Sequence, residues 1–375
     1  MHYRLLGATG LKVSILGMGS SPFRYGPPSV CAQLLQQAIE MGITYYDTAR
    51  SYLHGEEAIA NLPPHARQSL VVATKTGARG GMKCLQDLQR SLRTMKRDWI
   101  DVWMAHMIQT EMEYELCTKL GGFCDIAAAA RQAGLVRATG ASFHAPTGVI
   151  LRAIQERAFD VVMFQMNLIG RETVFGSSIA SYRETILPVA SVHKVGVVVM
   201  KVLAGGELRH GAPNLGFTTN SAVDRNEIGG AVRYATMHPD IATAVVGMAS
   251  TEELIYNTMA VEGVDDSYQE QFWEWSHRAQ EIAQGECLRC GACLEACPKG
   301  IEIPKIFRLY DQLRFFGMET AARFKYAALE TNGSDCDMCK TCQEVCPVNF
   351  DIGEALSHAH TALSVMRKQV KDIAL

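Results

Sequence analysis

The sequence predicts an α/β fold: a closed (β/α)8 TIM barrel introduced by an N-terminal β-hairpin, followed by a smaller, mainly α-helical domain rich in cysteine. Three observations carry this. Apolar runs of strand length alternate with amphipathic helical stretches eight times between Val13 and Ala260. Those runs are continuously apolar, as in parallel strands covered on both faces. Eight of the 12 cysteines lie between Cys287 and Cys346, in two runs of identical spacing. At 375 residues the chain exceeds one small domain. Eight β-then-α units in about 250 residues suit a closed barrel better than an open doubly wound sheet. The chain divides into a barrel over residues 1–262, a connecting helix over 263–285 and a cysteine-rich domain over 286–375.

Tyr3 to Leu6 and Leu11 to Leu16 flank a Gly-rich turn, Gly7-Ala8-Thr9-Gly10, and read as a hairpin. Val13 to Met18 continues into a first buried strand. Val30 to Met41 carries one apolar face and ends at Gly42, a helix. Ile43 to Asp47 is strand, and Gly55 to Leu62 is a short helix stopped by Pro63-Pro64. Leu70 to Lys75 is strand, then Lys83 to Arg97 helix; Ile100 to His106 is strand, then Phe123 to Gln132 helix. Leu135 to Ser142 precedes a helix over Thr147 to Glu156. Asp160 to Gln165 precedes a longer loop and a helix over Ile179 to His193. Gly196 to Met200 precedes Arg225 to Met237, and Ala242 to Val246 precedes Thr251 to Ala260. The loops Pro22 to Pro28, Met107 to Lys119 and Ile169 to Ser178 are irregular and carry no recognised motif.

Composition narrows the function classes. A net charge of −3 gives no electrostatic case for nucleic acid or an anionic membrane. Hydrophobic content of 48% and a mean hydropathy of +0.01 indicate ordinary globular packing. No apolar stretch approaches the roughly 20 residues that span a bilayer, and the first residues lack a signal-peptide pattern. Short-spaced cysteines belong to metal sites in a reducing compartment, so a cytoplasmic protein is expected. The scattered Cys31, Cys84, Cys117 and Cys124 are expected as small core residues.

In a barrel, chemistry sits at the carboxyl ends of strands. Asp47, Lys75 and His106 end the second, third and fourth strands, and Tyr52 lies in the loop after Asp47. These residue types suit carbonyl reduction. Hydride addition leaves negative charge on oxygen, and a phenol can protonate it. A free phenol has a pKa near 10; the Lys75 ammonium is expected to lower it for Tyr52. Asp47 would hold Lys75, and His106 would hydrogen-bond and orient the carbonyl oxygen. Taken singly, each residue is more simply a surface or satisfied polar group; a lysine ending an apolar strand is the least usual of them.

The motifs Asp47-Thr48-Ala49-x-x-Tyr52, Ala73-Thr74-Lys75, Asp101-Val102-Trp103-Met104-Ala105-His106, Gly140-Ala141-Ser142, Phe164-Gln165-Met166-Asn167-Leu168 and Val246-Gly247-Met248 occur in this order. In them residues 1–262 resemble the aldo-keto reductase family. The resemblance implies a catalytic tetrad of Asp47, Tyr52, Lys75 and His106 and a nicotinamide nucleotide, NADP or NAD, across the barrel mouth. It implies that Ser142 and Gln165 hold the carboxamide, with further cofactor contacts from Met200, Lys201, Gly247, Glu253 and Asn257. Three departures stand out. Phe143 replaces an Asn frequent in the family, Met200-Lys201 replaces a stacking aromatic, and Met248 to Leu254 lacks the basic residues that hold a 2′-phosphate. Glu252 and Glu253 would repel a phosphate or accept from a 2′-hydroxyl. Arg24 and Arg50 follow the first two strands; solvated surface charge outweighs an anion clamp for both.

The tail reads Cys287-x2-Cys290-x2-Cys293-x3-Cys297-Pro298 and Cys336-x2-Cys339-x2-Cys342-x3-Cys346-Pro347. This is the two-cluster [4Fe–4S] spacing, in which the fourth cysteine of each run serves the other cluster. Cys287, Cys290, Cys293 and Cys346 would hold one cluster, and Cys297, Cys336, Cys339 and Cys342 the other. Zinc also uses Cys-x2-Cys pairs, but a repeated run of four is far more specific. Helical patterns at Pro304 to Phe316, Glu319 to Leu329 and Ile352 to Lys371 resemble helical ferredoxin-like domains. Asp265 to Gln284 reads as the connecting helix, with Phe272, Trp273 and Trp275 packing on the barrel.

The leading reading is an oxidoreductase that interconverts a carbonyl and an alcohol with NAD(P)(H), coupled or potentially coupled to electron transfer through two clusters, which could instead be structural or sensory. Clusters carry single electrons and nicotinamide moves hydride. Coupling therefore needs a flavin, for which the sequence has no signature, or an external ferredoxin or flavoprotein. The reading from another class is an electron-transfer or redox-sensing protein on an inactive barrel. The intact tetrad weighs against it.

Overall fold

The structure, a computed structural model, describes residues 1–167, 182–203, 221–268, 270, 273, 287, 291–314, 319–347 and 349–364. Strands β1 (Tyr3–Leu5) and β2 (Lys12–Ser14) pair antiparallel as the expected hairpin. The chain breaks at Ile15 before the first barrel strand, β3 (Leu16–Gly19), so Val13 to Met18 is not one strand. There follow β4 (Tyr45–Asp47), β5 (Val71–Thr76), β6 (Ile100–Ile108), β7 (Val136–Phe143), β8 (Val161–Gln165), β9 (Gly196–Met200) and β10 (Thr243–Gly247). β3 to β10 close into a parallel barrel in which β10 pairs β3.

Side chains alternate between lumen and outer layer with the strand period of two. Tyr45, Ala73, Val102, Met104, Ala138, Val161, Met163 and Val198 fill the lumen. Trp103, Ala105, Ala141, Phe143, Val162 and Phe164 face the helices. Leu6 and Val13 of the hairpin join the lumen cluster and close its bottom. Gly7, at the hairpin turn, has φ +56°, and a Cβ there would stand 2.3 Å from the Gly196 nitrogen. Only glycine meets both conditions.

The barrel helices are α1 (Pro28–Glu40), α2 (Gly55–Ala60), α3 (Pro64–Ser69), α4 (Gly81–Met95), α5 (Glu111–Thr118), α6 (Phe123–Gln132), α7 (Thr147–Gln155), α8 (Tyr182–His193), α9 (Ser221–Met237) and α10 (Thr251–Ala260). Two corrections concern helix ends. Pro63-Pro64 stops α2 and also starts α3, because proline suits a first helical position. The stretch Met107 to Lys119 is not irregular throughout. Thr110 accepts the Glu113 N–H and caps α5, while β6 runs on to Ile108. The loop Pro22 to Pro28 contains a 3-10 turn over Ser21–Tyr25. The segment Ile169 to Ser178 lies outside the described residues.

The C-terminal part builds a separate core. It contains α11 (Cys293–Ala296), α12 (Ile303–Arg314), α13 (Glu319–Ala327), α14 (Thr341–Glu344) and α15 (Ile352–Ser364). Ile306, Phe307, Ala322, Tyr326, Leu356 and Ala359 are buried among them. Tyr326 anchors this core: its hydroxyl accepts the Gly333 N–H at 2.9 Å and lies 2.8 Å from His360 Nδ1. Most of the predicted connecting helix, with Phe272 and Trp275, lies outside the described residues. Asp266–Tyr268 forms a 3-10 turn, and Trp273 packs on the barrel, edge-on to His238 at 5.9 Å. Among the described residues, no helix is long and apolar enough to cross a membrane.

Candidate active site and cluster sites

Six consecutive strands carry lumen-facing polar or soft side chains at or near their carboxyl ends: Asp47, Lys75, His106, Ser142, Gln165 and Met200 on β4 to β9. Lys75 Nζ donates to Asp47 Oδ1 at 2.5 Å and to the Thr48 carbonyl at 2.8 Å, and both side chains are buried. Burial pushes the Asp47 carboxyl up and the Lys75 ammonium down, against the pull of each on the other. Lys75 Nζ stands 5.4 Å from the centre of the Tyr52 ring. His106 meets that ring edge-on with centroids 5.6 Å apart. The four residues predicted as a tetrad are therefore together.

One expectation is reversed. The Tyr52 pKa lies well above the ordinary phenol value, because burial and then the Asp47 charge disfavour the phenolate. The Lys75 ammonium beside the ring does not overcome these two effects. A proton donor must carry its proton, so the raised pKa suits donation to an alkoxide, which is a far stronger base than a phenolate. The His106 pKa is pushed down to about 3 by burial and by Lys75, His144 and Arg79. Its imidazole is neutral. Ser51 Oγ lies 3.5 Å from Nδ1. The tautomer protonated on Nε2 lets Nδ1 accept from Ser51 and leaves an N–H for an oxyanion.

Ser142 is buried, and its Oγ accepts the Met107 N–H at 2.8 Å, which leaves its own O–H to donate. Gln165 is buried with Nε2 unpartnered, and Asn257 is buried with Oδ1 unpartnered. A carboxamide supplies an acceptor for the first, and an amino group a donor for the second. These open atoms fit a nicotinamide nucleotide. Met200 closes the lumen cluster beneath them. Lys201 follows at φ +54° with its side chain exposed. Gly247 packs on Pro22, where a Cβ would stand 2.9 Å from Cγ. Glu253 is engaged in capping α10: its carboxylate accepts the Ala249 N–H at 2.8 Å, and its own N–H bonds Ser250 Oγ.

Phe143 points into the outer layer, 6.2 Å from Phe159, and is not part of the mouth. The next residue, His144, which the sequence reading did not single out, is half-buried with its Nδ1 unpartnered. Arg50 pairs with buried Glu56, itself bonded to Thr74 Oγ1 at 2.8 Å, and its side chain is 20% exposed, so it is a half-buried, paired group and not a simply solvated surface charge. The side chain of Arg24 lies outside the described residues. Cys31, Cys84 and Cys117 are buried and Cys124 is half-buried, as expected for core thiols.

In the C-terminal part, Cys297, Cys336, Cys339 and Cys342 line one cavity of about 300 Å³. This brings the last cysteine of the first run to the first three of the second. Among the described residues no three His, Cys, Asp or Glu converge closely enough to hold a single metal ion. A single zinc needs four ligands within about 2.3 Å of one point, whereas four thiols around a cavity fit a polynuclear cluster. Cys287, Cys293 and Cys346 pack on the same helical core, and Cys290 lies outside the described residues.

Residues 15–225 match the Aldo/keto reductase family. The chain belongs to this family. Residues 286–349 match the 4Fe-4S double cluster binding domain. The family member is 24% identical over 318 residues to the "Uncharacterized oxidoreductase YqkF" of Bacillus subtilis, across 75% of this chain and 98% of that one. It is 23% identical over 292 residues to the L-galactose dehydrogenase of Arabidopsis thaliana, across 70% and 88%. Among solved structures it resembles the aldo-keto reductase AKR11C1 from Bacillus halodurans in its holo form, with a TM-score of 0.60 and 22% identity over 75% of this chain and 96% of that one. It is an oxidoreductase with an iron–sulfur domain.

Proposed function

We propose that this reductase interconverts an aldehyde or ketone with its alcohol using NADP or NAD, through Asp47, Tyr52, Lys75 and His106. The observation that carries this is the buried Lys75–Asp47 contact of 2.5 Å beside a protonated phenol and a neutral imidazole. When bound, the nucleotide supplies or accepts a hydride. Ser142 and Gln165 hold its carboxamide, and Met200, Lys201, Gly247, Glu253 and Asn257 form the rest of the nucleotide cleft. His106 donates from Nε2 to the carbonyl oxygen and orients it. Tyr52 delivers the proton that neutralises the oxygen, and Lys75, fixed by Asp47, stabilises the phenolate left behind.

The domain reading is a barrel over 1–262, a connecting segment over 263–285 and a dicluster domain over 286–375. In this reading Cys287, Cys290, Cys293 and Cys346 hold one [4Fe–4S] cluster, and Cys297, Cys336, Cys339 and Cys342 the other. Such a protein belongs in the reducing cytoplasm. The clusters supply one-electron steps when bound, so their partner is an external ferredoxin or flavoprotein.

The deciding experiment measures NAD(P)H-dependent reduction of a broad panel of aldehydes and ketones by the wild type and Tyr52→Phe. Loss of about 10²–10⁴ in kcat with the fold intact is expected. A wild type inactive with both nucleotides would leave only electron transfer or redox sensing on a silent barrel.

A further inference from the structure

Strand β6 gains one residue against β7 between Ala105 and Ile108, and the extra length falls on His106 and Met107. Such a bulge disrupts the ladder and leaves main-chain groups without their strand partners. Met107 adopts φ +63°, a region that methionine seldom enters and that persists only where the surroundings fix it. Side chains take the main-chain groups at this point. The Met107 N–H goes to Ser142 Oγ at 2.8 Å. Both carbonyls go to one residue, Arg79, in the loop after β5. Its Nη1 donates to the His106 carbonyl at 2.7 Å and its Nη2 to the Met107 carbonyl at 3.0 Å.

Arg79 is itself fixed. Its Nη2 also donates to Glu113 Oε1 at 3.2 Å, and the other oxygen of that carboxylate accepts the Gln109 N–H at 2.6 Å. The main-chain carbonyl of Arg79 accepts the Phe123 N–H at 2.8 Å, at the start of α6. A planar guanidinium can span two successive carbonyls and a carboxylate at once, whereas a lysine ammonium is a single point of charge. The His106 ring, by contrast, has loose contacts of its own: Ser51 Oγ at 3.5 Å and the Tyr52 ring with centroids 5.6 Å apart. The direction of the imidazole is therefore inherited from the backbone beneath it, and Arg79 holds that backbone.

We propose that Arg79 is a positioning residue for the reaction: its guanidinium fork holds the β6 bulge in the conformation that aims His106 at the carbonyl oxygen. This rests on the carbonyl–alcohol reading above. Arg79 acts through His106 and transfers no proton itself.

The test measures NAD(P)H-dependent reduction of 4-nitrobenzaldehyde by the wild type, Arg79→Met and Arg79→Lys. Arg79→Met is expected to lower kcat by about 10²-fold, the scale of a misplacement of about 1 Å. The dissociation constant of the nucleotide should change less than threefold. Arg79→Lys keeps the charge and loses the fork, so its kcat should fall between those of the wild type and Arg79→Met. A second arm needs no turnover: ¹H–¹⁵N spectra of the histidine rings, with the His106 signals identified by their loss in His106→Phe. The wild type should show one neutral tautomer protonated on Nε2, and Arg79→Met should move the His106 shifts toward the average of both tautomers. If Arg79→Met does not fold, the same rates and spectra of Arg79→Lys decide. A kcat within threefold of the wild type in the variant overturns the proposal. So does a loss of rate with unchanged His106 signals, or a loss confined to nucleotide binding. If the wild type reduces no aldehyde but its His106 signals depend on Arg79, the clamp stands and the reduction reading falls. If neither is seen, both fall.

Discussion

Asp47 and Lys75 show how a buried charge pair shapes a site. Each is disfavoured by burial, and each is tolerated because the other stands 2.5 Å away. Asp47→Asn leaves an ammonium buried without an anion. A loss of about 3–5 kcal/mol in unfolding free energy is expected, and Asp47→Asn/Lys75→Met should recover most of it, as read by urea denaturation. The two mouth histidines give a pH signature. Their pKa values near 3 in the folded protein lie below the ordinary value of 6.5. As pH falls below about 6.5 the unfolded chain takes up protons that the folded one does not, so stability drops progressively toward pH 3. His106→Phe/His144→Phe should lose less stability between pH 7 and pH 4.5 than the wild type. Tyr52, protonated throughout, should place no ionisation of its own on the reduction rate between pH 6 and 9. The sequence placed Asp47, Tyr52, Lys75 and His106 at one barrel mouth but gave the Tyr52 shift the opposite sign, because burial and the position of the Asp47 charge exist only in the folded barrel.

At the level of elements, β6 does two jobs at its two ends. Asp101, buried at its start, accepts from Arg97 at 2.7 Å, Trp99 Nε1 at 3.1 Å, Val72 N–H at 2.9 Å and Arg137 at 3.1 Å. His106, near its far end, is the residue proposed to orient the carbonyl. In a (β/α)8 barrel the first end serves stability and the second function. Asp101→Asn should cost about 3 kcal/mol or more in urea unfolding yet leave kcat/KM within twofold. A comparable loss of kcat/KM would show that the two ends are not independent. The strands were legible as apolar runs, whereas α3 and α5 were not. Their signals, proline at a first helical position and Thr110 with Glu113, are short and local. His144 was obscured because Phe143 drew the comparison with the family. The pleat sends Phe143 outward and His144 inward.

Among the described residues the barrel packs around a lumen cluster and an outer-layer cluster, and the C-terminal helices around a third. The separate C-terminal core makes the iron content separable from the barrel. Two [4Fe–4S] clusters predict about 8 iron and 8 sulfide per chain after anaerobic purification. Cys339→Ser should reduce iron toward about 4 while leaving nucleotide binding by the barrel unchanged. Zinc without sulfide would sink the cluster assignment. Metal removal should loosen the C-terminal helices, whose small core surrounds the cysteines, before it affects the barrel.

By itself the sequence determined the barrel, the cysteine runs and the residue types at the strand ends. Strand and helix periods and ligand spacing are local properties of the chain. Tertiary structure alone decided the states of those residues. Closure of the barrel buries Asp47 against Lys75, holds Tyr52 protonated and His106 neutral, and leaves Gln165, Asn257 and His144 with open polar atoms. The cavity shared by Cys297 and the second cysteine run likewise exists only once the helices pack. Burial and neighbouring charge depend on residues far apart in the chain.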